Sequence, residues 1–113
     1  MNIEQTIGTY YDEPELLDIF TAFDDDEAVG SIYINRDHKV IMNIEVDEDR
    51  QGEGIARALF EAADEALRGI YHAPAWACTD EGRGFALAMG GDIIDDETMV
   101  AITGADLSIF DID

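Results

Sequence analysis

With 113 residues, the chain has room for one domain that buries roughly two-thirds of its unfolded surface. It carries 27 Asp and Glu against six Lys and Arg, a formal net charge of -21, so it lacks the basic footprint of a DNA- or RNA-binding protein. Nearly half of the residues are apolar (47%), which separates this acidity from that of a disordered chain.

The first twelve residues hold a short strand near Thr6–Tyr10. Pro14 punctuates the chain before Leu16–Phe23, where Leu17, Ile19, Thr21 and Phe23 alternate with the other face of a strand. Asp24-Asp25-Asp26-Glu27 reads as an exposed turn, followed by a strand over Val29–Ile34, a turn at Asn35–His38 and a strand over Lys39–Val46. Such short connections predict an antiparallel meander. The period then changes. Ala56, Phe60, Ala63 and Leu67 recur at helical spacing, with Ile55 and Leu59 widening the stripe, Arg57/Glu61 and Asp64/Arg68 paired outside it, and Gly69 as the stop.

Ala73–Cys78 reads as a further strand broken near its start by Pro74, and Asp80–Met89 as a shorter helix ended by Gly90-Gly91. Ile93-Ile94, the acidic turn Asp95-Asp96-Glu97 and Met99–Thr103 predict a closing hairpin. The tail Ala105–Asp113 alternates apolar and acidic residues, a pattern suited to pairing with a sheet edge or a second chain. The expectation is a single α+β domain over residues 1–113: meander, helix, strand, helix, C-terminal hairpin, with a mixed central sheet.

No apolar run approaches the roughly 20 residues of a membrane span, and Met1-Asn2-Ile3-Glu4 lacks the basic and apolar regions of a signal peptide. The single cysteine, Cys78, forms no internal disulfide and no cysteine-rich zinc site. Acids are spread along the chain, and Lys39 is the only lysine. Self-repulsion of this size is relieved where the Debye length falls to roughly 3 Å, near 1 M salt. A cytoplasmic protein of a high-salt interior is therefore expected, ahead of a nucleic-acid mimic or an antagonist of basic proteins. The acid runs Asp24–Glu27, Asp47–Asp49 and Asp95–Glu97 read as solvated surface, and no metal site is expected.

Between the third meander strand and the best helix lies Gln51-Gly52-Glu53-Gly54-Ile55-Ala56. Two glycines at a strand-to-helix junction allow backbone N–H groups to face an anion at a helix N-terminus. A P-loop requires Gly-Lys-Ser/Thr, and the only lysine lies upstream. A dinucleotide fingerprint requires glycine at position 57, occupied by Arg57, and a parallel strand setting. An EF-hand reading of Asp47-x-Asp49-x-Gln51-Gly52 fails where the bidentate Glu is due, at Ala58.

The pattern Gln/Arg-x-x-Gly-x-Gly/Ala, filled by Gln51, Gly54 and Ala56, resembles that of the GNAT acetyltransferase superfamily. The order of elements agrees over about residues 16–103, and Phe85–Gly91 is similar to the family's second conserved helix, ending in Met89-Gly90-Gly91. The resemblance implies a GNAT-like fold and acetyl-CoA as co-substrate. Gln51, Gly52, Glu53, Gly54, Ile55 and Ala56 would hold the pyrophosphate, and the main chain of Asn43-Ile44-Glu45-Val46 would line the pantetheine arm, so Ile44 and Val46 join the expected site. The implied reaction is direct acetyl transfer to an amine, on a small molecule or a protein.

Departures concern the chemistry. Ala86 stands where many members place a Tyr general acid, Thr79 where an Asn is frequent, and Val40 where some carry a base Glu. The pair of helices that usually follows the first strand has little room before Leu16. Glu45 is the substitute base candidate, although strand alternation would equally turn it to solvent. His38 in its turn, Tyr33, Tyr71, His72, Trp76 and Cys78 read as structural or exposed residues. Arg50, flanking the loop, could screen phosphate charge, whereas Arg57 has a helix partner in Glu61. The missing Tyr, the short N-terminal region and the tail support a second expectation: a catalytically silent GNAT-fold interaction or structural module of a larger assembly, such as a virus particle.

Overall fold

The computed structural model describes residues 2–9, 16–74, 89–90 and 92–103. The meander forms a four-stranded antiparallel sheet in sequential order: β1 (Asn2–Gly8), β2 (Leu17–Asp24), β3 (Glu27–Asn35) and β4 (Ile41–Val46). β1 runs four residues earlier than the Thr6 start expected from sequence, because its pairing with β2 extends from Gly8↔Leu17 back to Asn2↔Phe23. The acidic run makes a two-residue turn, with Asp25 in the left-handed region at φ 57°, a conformation aspartate tolerates better than bulkier residues. β4 starts at Ile41 instead of Lys39, since Lys39 takes a φ of 58° and cannot continue the strand.

Alternation sorts the sheet into two faces. Phe20, Ala22, Ile32 and Ile34 point to one of them and are almost wholly buried under α1 (Ile55–Leu67), which packs across β3 with flanking contacts to β2 and β4. The helix contributes Ile55, Leu59 and Ala63 to this core. Val29 joins it through a bulge: Ala22 pairs with Gly30 and Phe23 with Ala28, leaving Val29 as the extra residue. The opposite face carries Thr21, Ser31 and Glu45, paired in register.

α1 closes with Arg68 in the left-handed region and the Gly69 amide donating to the Asp64 carbonyl. The Asp64 carboxylate accepts the Ile70 amide, the role that replaces the expected pairing with Arg68. The sole lysine, Lys39, donates from Nζ to the Leu67 carbonyl at 2.7 Å, a cation on the negative end of the helix dipole.

Beyond α1, Val40 makes an isolated parallel bridge with Tyr71 and His72 one with Ile93; the described sheet itself is antiparallel throughout, and most of the strand expected to make it mixed lies outside the described residues. The predicted closing hairpin is a correction: Asp96–Thr103 is a helix, α2. Asp95 Oδ1 accepts the Thr98 amide at 2.7 Å, so the acidic triplet is a helix cap and first turn instead of a hairpin turn. Most of the expected strand Ala73–Cys78, the helix Asp80–Met89 apart from its last residue, and the tail Ala105–Asp113 lie outside the described residues. No helix among the described residues is long and apolar enough to cross a membrane.

Candidate active site

The chain leaves β4 at Val46 and makes a single 3₁₀ turn at Glu48–Arg50 before entering α1. The Asp47 amide donates to Val29 O at 2.9 Å and Gln51 Nε2 reaches Val46 O at 3.4 Å, tying both ends of the loop to the sheet. Gly52 and Gly54 adopt φ of 87° and 84°. Both conformations strain an L-residue, and a Cβ added at either would meet nothing within 4 Å. Glycine is needed here for backbone direction, and the space beside the loop is open.

Gly54 is also the N-cap of α1, and no side chain caps the helix. Among the described residues, the amides of its first turn therefore have neither an intrahelical nor a side-chain acceptor. No acid occupies that first turn, although the chain carries 27 of them. An uncapped N-terminus carries about half a positive charge in its orphan N–H groups. This arrangement suits an anion.

The carboxylate adjacent to Gly54 in sequence, Glu53, is ion-paired within the loop. Arg50 Nε donates to both Glu53 oxygens at 3.0 Å, and its Nη2 reaches Asp24 Oδ2 at 2.8 Å. The hydrogen bonds from Glu53 and then Asp24 push the guanidinium still further above its ordinary range. Arg50, a candidate from sequence for screening phosphate charge, is thus committed to two carboxylates. These contacts balance the Glu53 charge and tie the loop to Asp24 at the β2–β3 turn.

Gly30 brings the loop's two flanks together. A Cβ there would lie 3.0 Å from Glu45 O, 3.2 Å from Ile55 Cγ2 and 3.3 Å from Val46 Cγ2. Only a residue without a side chain lets the first turn of α1 sit this close to β4.

Glu45 projects to the face away from α1, opposite Ser31, and is half-buried. Tyr33 Oη donates to its Oε2 at 3.2 Å, and Thr21 and Ser31 share a hydroxyl hydrogen bond at 3.0 Å beside them. Sequence alternation alone does not reveal this partner. β4 also carries a bulge without a sequence signal: Tyr33 pairs with Asn43 and Ile34 with Ile41, so Met42 has no partner in register. Among the described residues, the segment from Tyr71 meets β4 only at its start, where Ile41 N donates to Tyr71 O at 2.9 Å. His72 turns instead to Asp92 and Ile94.

The other candidates fall outside this site. His72 is buried, stacks on Phe60 at 5.3 Å and donates from Nε2 to the Gly90 carbonyl at 2.6 Å, which assigns it to the core. His38 is exposed in its turn, and its amide donates to Asn35 Oδ1. Arg57 meets Glu61 at 4.0 Å on the solvent side, as expected. Trp76, Cys78, Thr79 and Ala86 lie outside the described residues. Among the described residues no group of three His, Cys, Asp or Glu could hold a metal ion.

An antiparallel meander that runs through a glycine loop into a helix without a side-chain cap is an α+β arrangement whose backbone geometry is compatible with an anionic group. The model of the acetyltransferase (GNAT) family matches residues 3–89, most of the chain, and the chain belongs to that family. No curated protein and no solved structure matches it significantly.

Proposed function

We propose that this protein binds acetyl-CoA and transfers its acetyl group to an amine. The observation that carries the reading is the α1 N-terminus: two left-handed glycines beside open space, no side-chain cap, no acid in the first turn, and the adjacent Glu53 cancelled by Arg50. Backbone amides of Gly52–Ala56 would hold the pyrophosphate, with Gln51 bracing the loop against Val46. The pantetheine arm would follow the main chain of Ile44 and Val46 toward the Met42 bulge, where an off-ladder backbone group can approach the thioester carbonyl.

Transfer requires the acceptor nitrogen to lose a proton as it attacks the thioester carbon and the C–S bond breaks to release CoA thiolate. Glu45 is the carboxylate on this strand able to take that proton, directly or through water, with Tyr33 Oη fixing its rotamer. Ala86, where the family commonly has a tyrosine acid, supports a second reading in which the site binds CoA without turnover.

Titration of acetyl-CoA and CoA in roughly molar KCl, where surface charge is screened, tests the first reading. Saturable heat and thermal stabilisation are the expected result, and a folded protein that binds neither ligand overturns it. Thioester consumption with a panel of amines then separates the two readings: release of free thiol supports the enzyme, and binding without release supports the silent module. The acidic surface and the high-salt cytoplasm belong to the same proposal, since screening by salt lets an anionic co-substrate approach so acidic a chain.

A further inference from the structure

β1 forms one edge of the sheet and, among the described residues, is paired on one side only. Proteins blunt such edges with lysine, proline, bulges or dense charge. β1 has none of these devices: its seven residues, Asn2-Ile3-Glu4-Gln5-Thr6-Ile7-Gly8, contain one charged group in a chain that carries 27 acids. Its pairing with β2 runs without a bulge over its whole length.

Among the described residues, the face of β1 that continues the core is covered only at Ile3, which is partly buried against it. Ile3, Gln5 and Ile7 share the α1 side of the sheet, being opposite Ala22, Phe20 and Asp18. The main contacts of α1 stop at β2, and Ile7 is 54% exposed. Leu16, at the entrance to β2, is 54% exposed as well. Only eight residues separate β1 from β2, a span too short for a pair of helices to lie over this end of the sheet.

We infer that β1 is a homodimer interface, pairing antiparallel with β1 of a second copy to join the two sheets across a two-fold axis at Gln5. The register follows from the side chains. A two-fold axis perpendicular to the sheet pairs residues of like parity, so the centre can fall on Glu4, Gln5 or Thr6. Centring on Glu4 sets two carboxylates directly opposite each other, which is destabilising. Centring on Thr6 shortens the ladder to residues 4–8. Centring on Gln5 uses all seven residues: Ile3 meets the partner's Ile7 on the core face, Glu4 meets the partner's Thr6, and Gln5 meets its own copy. The strand is self-complementary in this register, as a two-fold interface requires. Its single charge in so acidic a chain matches the depletion of charge at interface cores.

The test is light scattering in roughly molar KCl, with charge repulsion screened, combined with cross-linking. The wild-type chain should show twice its chain mass, and Ile7→Lys should return it to the monomer mass with an unchanged far-UV spectrum. In a Cys78→Ser background, Gln5→Cys should form an interchain disulfide, because the two positions are direct neighbours across the axis with Cβ atoms about 5 Å apart. Asn2→Cys should not, since the two copies of that position are six residues out of register, roughly 20 Å. If Ile7→Lys does not fold, the cross-linking contrast decides alone. A wild-type monomer at high micromolar concentration, a folded Ile7→Lys dimer, or equal cross-linking at positions 2 and 5 each overturns the inference.

Discussion

Replacing Gly54 by Asn and, separately, by Asp isolates the electrostatic claim about the loop. Gly54 sits at φ 84°, ψ 11°, and a Cβ there would meet nothing within 4 Å, so a side chain adds strain without a clash. A left-handed conformation costs an ordinary L-residue about 1–2 kcal/mol, and Asn and Asp tolerate it better than most. Both variants should therefore lose on the order of 1 kcal/mol, a fall of about 4 °C in Tm, and should differ little from each other.

Binding should part them. A carboxylate roughly 6 Å from each of two pyrophosphate charges costs about 0.7 kcal/mol per pair even at the dielectric of water, together about a tenfold loss. Lower effective dielectric at the loop enlarges that figure, and salt shrinks it. Acetyl-CoA is titrated calorimetrically into both variants over a KCl series. At low salt Gly54→Asp should bind at least tenfold more weakly than Gly54→Asn, the ratio narrowing as salt rises. Equal affinities for two equally folded variants would mean that no anion lies beside residue 54, and the cradle argument would fall with them.

Gly30→Ala should destabilise the fold by about 1–3 kcal/mol in urea denaturation, because its Cβ meets the Glu45 carbonyl at 3.0 Å and neither backbone can yield without moving α1 from β4; an unchanged midpoint would show that this contact is not tight. Glu45→Gln should abolish acetyl transfer while leaving the CoA dissociation constant unchanged, and Tyr33→Phe should lower kcat more mildly through the lost 3.2 Å hydrogen bond; full activity in the glutamine variant removes Glu45 from the reaction. Asp95 is held below its ordinary value chiefly by the Thr98 backbone amide, so its cap contributes fully above the ordinary carboxylate range and is lost as pH falls through the lower folded value. The Thr98 amide resonance should therefore shift only below the ordinary carboxylate range, and the transition should vanish in Asp95→Asn; a shift near neutral pH contradicts this origin.

The meander and α1 are legible in the sequence because each is decided locally. Apolar alternation in Leu17–Phe23 and the Ala56, Phe60, Ala63, Leu67 repeat each name a face, and a sheet and one helix suffice to bury both. The closing helix is harder to read because Met99–Thr103 is β-branched and apolar, which suits a strand, while the deciding contact is one hydrogen bond from Thr98 to Asp95. An acid with a helix-compatible run behind it is as good a cap as a turn, and Asp95-Asp96-Glu97-Thr98 carries the spacing of a cap. The loop's glycines are readable from spacing. The Tyr33–Glu45 contact, the Arg50 clamp and the Met42 bulge are not, since each joins residues on different strands or loops whose register is fixed only by folding.

Arg50 reconciles so negative a chain with the proposed anion site. A lysine or arginine aimed at phosphate would give an attractive charge, but in a chain with six cations and 27 acids such a group is readily captured by neighbouring carboxylates. Arg50 shows that capture, bonded to Asp24 and Glu53 at once. Beside the loop, the backbone amides at the α1 N-terminus have no carboxylate bonded to them among the described residues, since the glycines leave no side chain to reach back and the first turn contains no acid. Anion binding through main-chain amides depends on geometry more than on net charge, which is why acidification of the surface is compatible with it. Arg50→Gln tests the division of labour: it should weaken acetyl-CoA binding by releasing Glu53 beside the loop, and adding Glu53→Gln should restore affinity although a cation has been lost. A double variant as weak as the single one would show that Arg50 touches the phosphate itself.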